Sequence, residues 1–81
     1  MRARVTIMLK DGVLDPQGAA VRAALGSLGF DGVDGVRQGK LIELDLAETD
    51  PDAAREAVTE MCERLLANTV IESYRIALDD A

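Results

Sequence analysis

The stretch Val33-Asp34-Gly35-Val36-Arg37-Gln38-Gly39-Lys40-Leu41-Ile42-Glu43-Leu44-Asp45-Leu46 decides the fold. In its second half Ile42, Leu44 and Leu46 share one parity and Leu41, Glu43 and Asp45 the other, the period-two pattern of a strand with one buried face. The first half, Val33 to Arg37, alternates poorly, because Val33 and Val36 have opposite parity; Gly35 reads as a bulge. Gly39-Lys40 suits a tight hairpin of the type that places Gly first. Two strands joined by a hairpin are therefore expected here, after a Gly- and Asp-rich loop that begins at Phe30.

Upstream, Val21, Ala24, Leu25 and Leu28 fall at i, i+3, i+4 and i+7, the apolar stripe of a helix. Asp15-Pro16 supplies its start, a capping carboxylate followed by a proline whose missing N–H costs nothing in the first turn. Gly29 supplies its stop. Gly18 and Gly26 each weaken it by up to ~1 kcal/mol relative to Ala. Before it, Val5, Ile7 and Leu9 alternate with polar neighbours across Arg4–Lys10, a strand ended by Asp11-Gly12. Downstream, Asp50-Pro51 repeats the helix-start signal. The helix that follows is expected to bury Ala54, Val58, Met61, Cys62 and Leu65, to pair Glu60 with Arg64 at i, i+4, and to stop at Asn68 in a left-handed conformation. In the last strand, Val70–Leu78, the residues Tyr74, Ile76 and Leu78 share a face; Asp79-Asp80-Ala81 are expected to fray. The order β-α-β-β-α-β predicts one α+β domain over residues 1–81. Its arrangement is ferredoxin-like, a four-stranded antiparallel sheet with two helices on one face.

Composition narrows the chemistry. The 81 residues carry 9 basic and 15 acidic side chains, a net charge of −6, and no histidine. Such a chain gains nothing from neutralising phosphates, and its two aromatics, Phe30 and Tyr74, cannot build a base-stacking platform, so nucleic acid is excluded as a partner. No apolar run is long enough for a membrane span or a signal-peptide core. The lone Cys62 permits neither an internal disulfide nor a multi-cysteine metal site, which suits a reducing, cytoplasmic setting. A chain this short buries only roughly 60–65% of its unfolded surface, so association is a natural source of stability.

Catalytic constellations fail in turn. A thiol nucleophile needs a base, usually His, and Cys62 lies on an apolar helix stripe. The Glu residues at 56, 60 and 63 make a solvated helix face, and the Asp residues occupy turns and caps. The segment Lys10–Gly18 precedes a helix but lacks a phosphate-loop Lys, and Asp11 and Asp15 would repel an anion. Arg37 and Lys40 flank the expected hairpin, either as solvated turn charges or as contacts to an anion or a partner carboxylate. The sheet face without helices receives Thr6, Met8, Leu41, Glu43, Ile71, Ser73, Arg75 and Ala77. Of these, Met8, Leu41 and Ile71 are more apolar than a solvated sheet requires, which points to a self-association or partner surface.

Three blocks carry a resemblance. They are Leu9-Lys10…Val13-Leu14-Asp15-Pro16-Gln17-Gly18, then Val36-Arg37-Gln38-Gly39-Lys40…Glu43-Leu44, then Met61-Cys62-Glu63…Leu65-Leu66-Ala67-Asn68-Thr69-Val70-Ile71-Glu72…Tyr74-Arg75. Together they resemble the PurS family, the small subunit of phosphoribosylformylglycinamidine synthase. The resemblance implies a subunit without a catalytic residue or cofactor of its own. Its partners would be a glutaminase subunit and a large synthetase subunit that uses ATP and magnesium. The small subunit would hold these two together and assist ammonia transfer, itself associating as a homodimer or a dimer of dimers. Asp15, Pro16, Gln17, Arg37, Lys40, Asn68 and Tyr74 belong to the matched blocks. Gln17, Arg37 and Lys40 are the candidates for partner contact there, beside Met8, Leu41 and Ile71. Two other readings stay open at this point: an amino-acid-sensing module with a site near Gly12 and Asp15, and a small hydrolase.

Overall fold

A computed structural model of the protein describes residues 1–79; Asp80 and Ala81, part of the expected frayed end, lie outside the described residues. The element order is β1 (Arg2–Leu9), α1 (Pro16–Ser27), β2 (Gly39–Asp45), α2 (Pro51–Met61), a π-helical turn (Cys62–Leu66) and β3 (Glu72–Asp79). The strands form an antiparallel sheet in the order β2-β1-β3.

β1 occupies the centre because it carries the chain's cleanest alternation. Ala3, Val5 and Ile7 are fully buried, while Arg2 and Arg4 are exposed on the other face. The register stacks like with like across the sheet: Ala3 lies between Leu44 and Leu78, and Val5 between Ile42 and Ile76. Over this row pack α2, through Val58, and the π turn, through Cys62; Ala54 of α2 is also buried. On the opposite face Arg2 pairs with Glu43 and Asp45, and Arg4 pairs with Asp79. Asp79 is thus the last residue of β3, opposite Arg2, and not a frayed end.

Four expectations are corrected. First, the sheet has three strands, not four. Val33–Arg37 joins no ladder and runs back along α1, where Arg22 Nε donates to the Val33 carbonyl at 3.2 Å and Phe30 N–H to the Leu25 carbonyl at 3.0 Å. The broken alternation around Asp34-Gly35 leaves this segment no continuous apolar face to lay on a core. Gly39 accordingly opens β2 opposite Met8 instead of starting a hairpin.

Second, the two helices do not share the sheet. α1 forms as read, with the Asp15 cap and a stop at Gly29, whose φ is +95°. Its apolar stripe is nevertheless left largely exposed, Leu28 at 73%. The molecule is accordingly long, 48 × 28 × 14 Å, with a radius of gyration of 16.1 Å; a compact chain of this length has about 12 Å.

Third, Leu65 is 83% exposed, and Leu66 packs on the core in its place. The cause is the π turn, in which Ala67 N–H donates to the Cys62 carbonyl five residues back. The extra residue shifts the inward face by one position. Met61 is likewise partly exposed.

Fourth, among the described residues no residue other than glycine has positive φ, so Asn68 is not a left-handed cap. Its side chain accepts from Val70 N–H and its carbonyl from Ile71 and Glu72 N–H, turning the chain into β3.

Two substitutions check this packing. Ile7→Ala is expected to cost about 2–5 kcal/mol in chemical unfolding. Leu65→Ala should stay within about 0.5 kcal/mol, as exposed positions do, while Leu66→Ala should destabilise clearly. The reverse order would return the turn to α-helical register.

Candidate functional site

Around the end of the sheet where β1 meets its first loop lie two shallow depressions. One, of about 240 Å³, opens beside Ile7 and Leu9 and is bordered by Asp15, Gln17, Lys40 and Glu72. The other, of about 330 Å³, lies on the open face between Thr6, Met8, Arg37, Ser73 and Arg75.

Asp15 organises the first. One carboxylate oxygen accepts the Gly18 N–H at 2.8 Å, the capping contact read from the sequence. The other accepts the Gln38 N–H at 3.0 Å, from a segment 23 residues away. These bonds, Gln38 first and then Gly18, hold the Asp15 carboxyl below its ordinary value. Gly18 is buried, and a Cβ there would overlap the Val36 carbonyl oxygen and the Asp15 carboxylate, so glycine is required for close approach. One side chain thus ties the start of α1 to the segment returning into β2.

Lys40 and Glu72 face each other across β1 at 3.9 Å, and the second Glu72 oxygen accepts the Asn68 N–H at 2.7 Å. Arg37 donates to the Leu9 carbonyl and lies 3.5 Å from Asp11. Of the residues singled out by sequence, Gln17 and Lys40 therefore share one depression, Met8 and Arg37 the other. Leu41 and Ile71 are exposed but line neither. Leu41 does sit on the same face as Met8, opposite Thr6. Sequence reading missed Gln38 and Glu72. Both act through contacts set by strand register, and no local pattern marks them.

The reactive groups are occupied otherwise. Cys62 is fully buried, and burial, with Glu63 adding, pushes its thiol up, opposite to what thiolate chemistry needs. The Tyr74 hydroxyl donates to Glu63 at 2.7 Å, which raises the phenol and fastens β3 to the π turn. Among the described residues no three His, Cys, Asp or Glu side chains converge as a metal site would require.

The PurS family profile, described as phosphoribosylformylglycinamidine (FGAM) synthase, matches residues 2–80. The chain belongs to the PurS family. The PurS subunit of phosphoribosylformylglycinamidine synthase from Bacillus subtilis is 48% identical over 79 residues, covering 98% of this chain and 93% of that protein. The solved PurS of Methanocaldococcus jannaschii superposes with a TM-score of 0.90 at 41% identity, over 99% of this chain and 96% of that one. A chain of the PurLQS structure from Thermotoga maritima superposes with a TM-score of 0.85 at 29% identity, covering 94% and 93%. PurS membership agrees with the three blocks read from the sequence, two of which border the Asp15 clasp.

The clasp makes a pH prediction. Because the folded Asp15 carboxyl lies below its ordinary value of 3.8, the stabilisation it gives is present above that value and fades as pH falls through the folded one. Asp15→Asn should lower the urea midpoint at neutral pH. The gap from wild type should shrink as the solution is acidified through the carboxylate range. A gap independent of pH would mean that the charge on Asp15 contributes nothing.

Proposed function

We propose that this chain acts without an active site of its own, joining the glutaminase and synthetase of the complex and helping ammonia pass between them. As a PurS protein it is a subunit of phosphoribosylformylglycinamidine synthase, a ligase complex of purine biosynthesis. The observation that carries the proposed role is the whole-length likeness to a chain of the PurLQS structure, in a molecule whose conspicuous feature is uncovered surface. In the reaction, glutamine hydrolysis gives ammonia, and ATP activates the amide oxygen of formylglycinamide ribonucleotide for its displacement. Ammonia must stay neutral and unlost on the way, and a seam between proteins that excludes water achieves this without a catalytic group.

The open sheet face fits such a seam. Thr6, Met8, Leu41 and Ala77 give it small and apolar side chains around Arg75, and the Arg2 and Arg4 ion pairs satisfy the charges at its end. Met8, Leu41 and Ile71 on this side, with Gln17, Arg37 and Lys40 around the depressions, are the proposed partner contacts. ATP and magnesium belong to the synthetase in this reading, and the chain works in the cytoplasm as a homodimer or dimer of dimers. No helix among the described residues is long and apolar enough to cross a membrane. The amino-acid-sensing alternative is not favoured, since the match to the synthase subunit runs from β1 to β3.

Reconstitution tests the role. The chain alone is expected to show no amidine formation. With glutaminase and synthetase present, glutamine-dependent turnover should require it, whereas turnover driven by added ammonium salt should not. Met8→Glu should lower the glutamine-dependent rate at least tenfold and spare the ammonium-driven one. Full glutamine-dependent activity without this chain would refute the reading.

A further inference from the structure

Six of the seven arginines are engaged by the chain itself. Arg2, Arg4, Arg37 and Arg64 pair with carboxylates, and Arg22 and Arg55 donate to backbone carbonyls. Among the described residues Arg75 has neither kind of partner. It stands exposed on β3 in the open sheet face, with Thr6 directly across on β1 and Leu41 beyond on β2. Strand register explains why it meets no acid. Its neighbours on that face are Ser73 and Ala77 along β3 and Arg4, Thr6 and Met8 on β1, none of them a carboxylate. The sequence holds 15 acidic side chains, and the register places none of the described ones beside this guanidinium.

The surroundings are donors as well. Arg75 divides two depressions, the one of about 330 Å³ shared with Thr6, Ser73 and Arg37 and another of about 270 Å³ beside Arg4 and Ala77. The hydroxyls bonded within the described chain are those of Ser27, Thr59 and Tyr74, so those of Thr6 and Ser73 are available. On the rim Arg37 is held by the Leu9 carbonyl, and its acid, Asp11, is 97% exposed. A planar fork, two hydroxyls and a second guanidinium together match the lone pairs of one carboxylate.

The apolar frame shows what delivers that carboxylate. Met8 lies beside the fork, and Leu41, 55% exposed, lies in the same row. A free anion on so open a surface is held by charge alone, which salt screens within about 10 Å. A carboxylate on a protein brings apolar neighbours onto Met8 and Leu41, and excluding water strengthens the ion pair.

We propose that Arg75 anchors the partner contact. It receives an Asp or Glu side chain of the glutaminase or synthetase subunit as a bidentate pair, and Thr6, Ser73 and Arg37 complete the donor set. The inference rests on the subunit role stated above and gives that role its recognition chemistry. A central arginine bordered by apolar side chains is the setting in which a few residues carry most of the binding.

Substitution and cross-linking in the reconstituted complex test it. Arg75→Gln removes the charge and the fork. It should weaken binding of the chain to its partners at least tenfold in analytical ultracentrifugation and leave the circular dichroism spectrum unchanged. Arg64→Gln, an exposed arginine of the π turn, removes the same charge elsewhere and should bind like wild type. The loss of affinity with added salt should be steeper for wild type than for Arg75→Gln. Arg75→Lys keeps the charge and supplies an amine. A zero-length carbodiimide should then join position 75 to an Asp or Glu of the glutaminase or synthetase, located by peptide mass spectrometry. Unchanged binding by Arg75→Gln, no link at position 75, or a link to an acid of another copy of this chain would each overturn the proposal. So would saturation of the Thr6 and Ser73 amide resonances by submillimolar phosphate or acetate, since the hollow would then be a small-anion site. Normal binding by Arg75→Gln, with glutamine-dependent turnover still requiring the chain, sinks the carboxylate contact and leaves the subunit role standing. A linked complex whose turnover does not depend on the chain does the opposite.

Discussion

Three alternate side chains on one strand, Ala3, Val5 and Ile7, make contact with both neighbouring strands and with the helix above, and no other segment is buried so completely. The sheet order, the placing of α2 and the direction in which every edge residue points follow from this row. It is also small. Among the described residues, the large side chains with essentially no exposure are Ile7, Val5, Val58 and Cys62. A core of that size leaves an 81-residue chain near the lower limit of independent stability. The constraint reaches function directly, because a protein with too little interior must find further apolar contact outside itself.

Two surfaces answer that need, and they differ in kind. The helix-side surface left bare over β2 is hydrophobic, as is the exposed stripe of α1. The open sheet face mixes threonine, methionine, leucine and alanine with Arg2 and Arg4, both paired to carboxylates, and with Arg75 opposite Thr6. Surfaces of that mixed character suit contacts between proteins that also exist apart. Cys62, the chain's one thiol, is spent on the core, and the sequence holds no histidine.

Legibility in the sequence followed the range of the forces involved. Helix starts at Asp15-Pro16 and Asp50-Pro51 and the alternation of β1 were plain, since caps and pleats are decided within four or five residues. The PurS blocks were plain for the same reason, being continuous strings. Leu65 misled because a single π-type hydrogen bond re-indexes everything after Cys62, and nothing in Met61–Leu66 announces it. Asn68 misled because a side-chain bond to Val70 competes with the left-handed cap and gives the same chain reversal. Within the candidate site, Arg37 and Lys40 were visible as charges flanking an expected turn, and Gln17 through the matched PurS block. Their division between two depressions was not visible, because it depends on which sheet face each approaches.

By itself, then, the sequence determined three strands and two helices in their order, the buried side of those strands, and the family. These rest on local spacing and on composition, which a chain carries whether folded or not. Only the tertiary structure decided that Val33–Arg37 leaves its own sheet, that α1 points away from the core it seemed made to cover, and that Asp15 locks both in that direction. Those outcomes depend on contacts between residues 11 to 23 apart, such as Arg22 with Val33 and Asp15 with Gln38. There the periodicity of one amphipathic helix fits more than one placement, and the path of the loops decides between them.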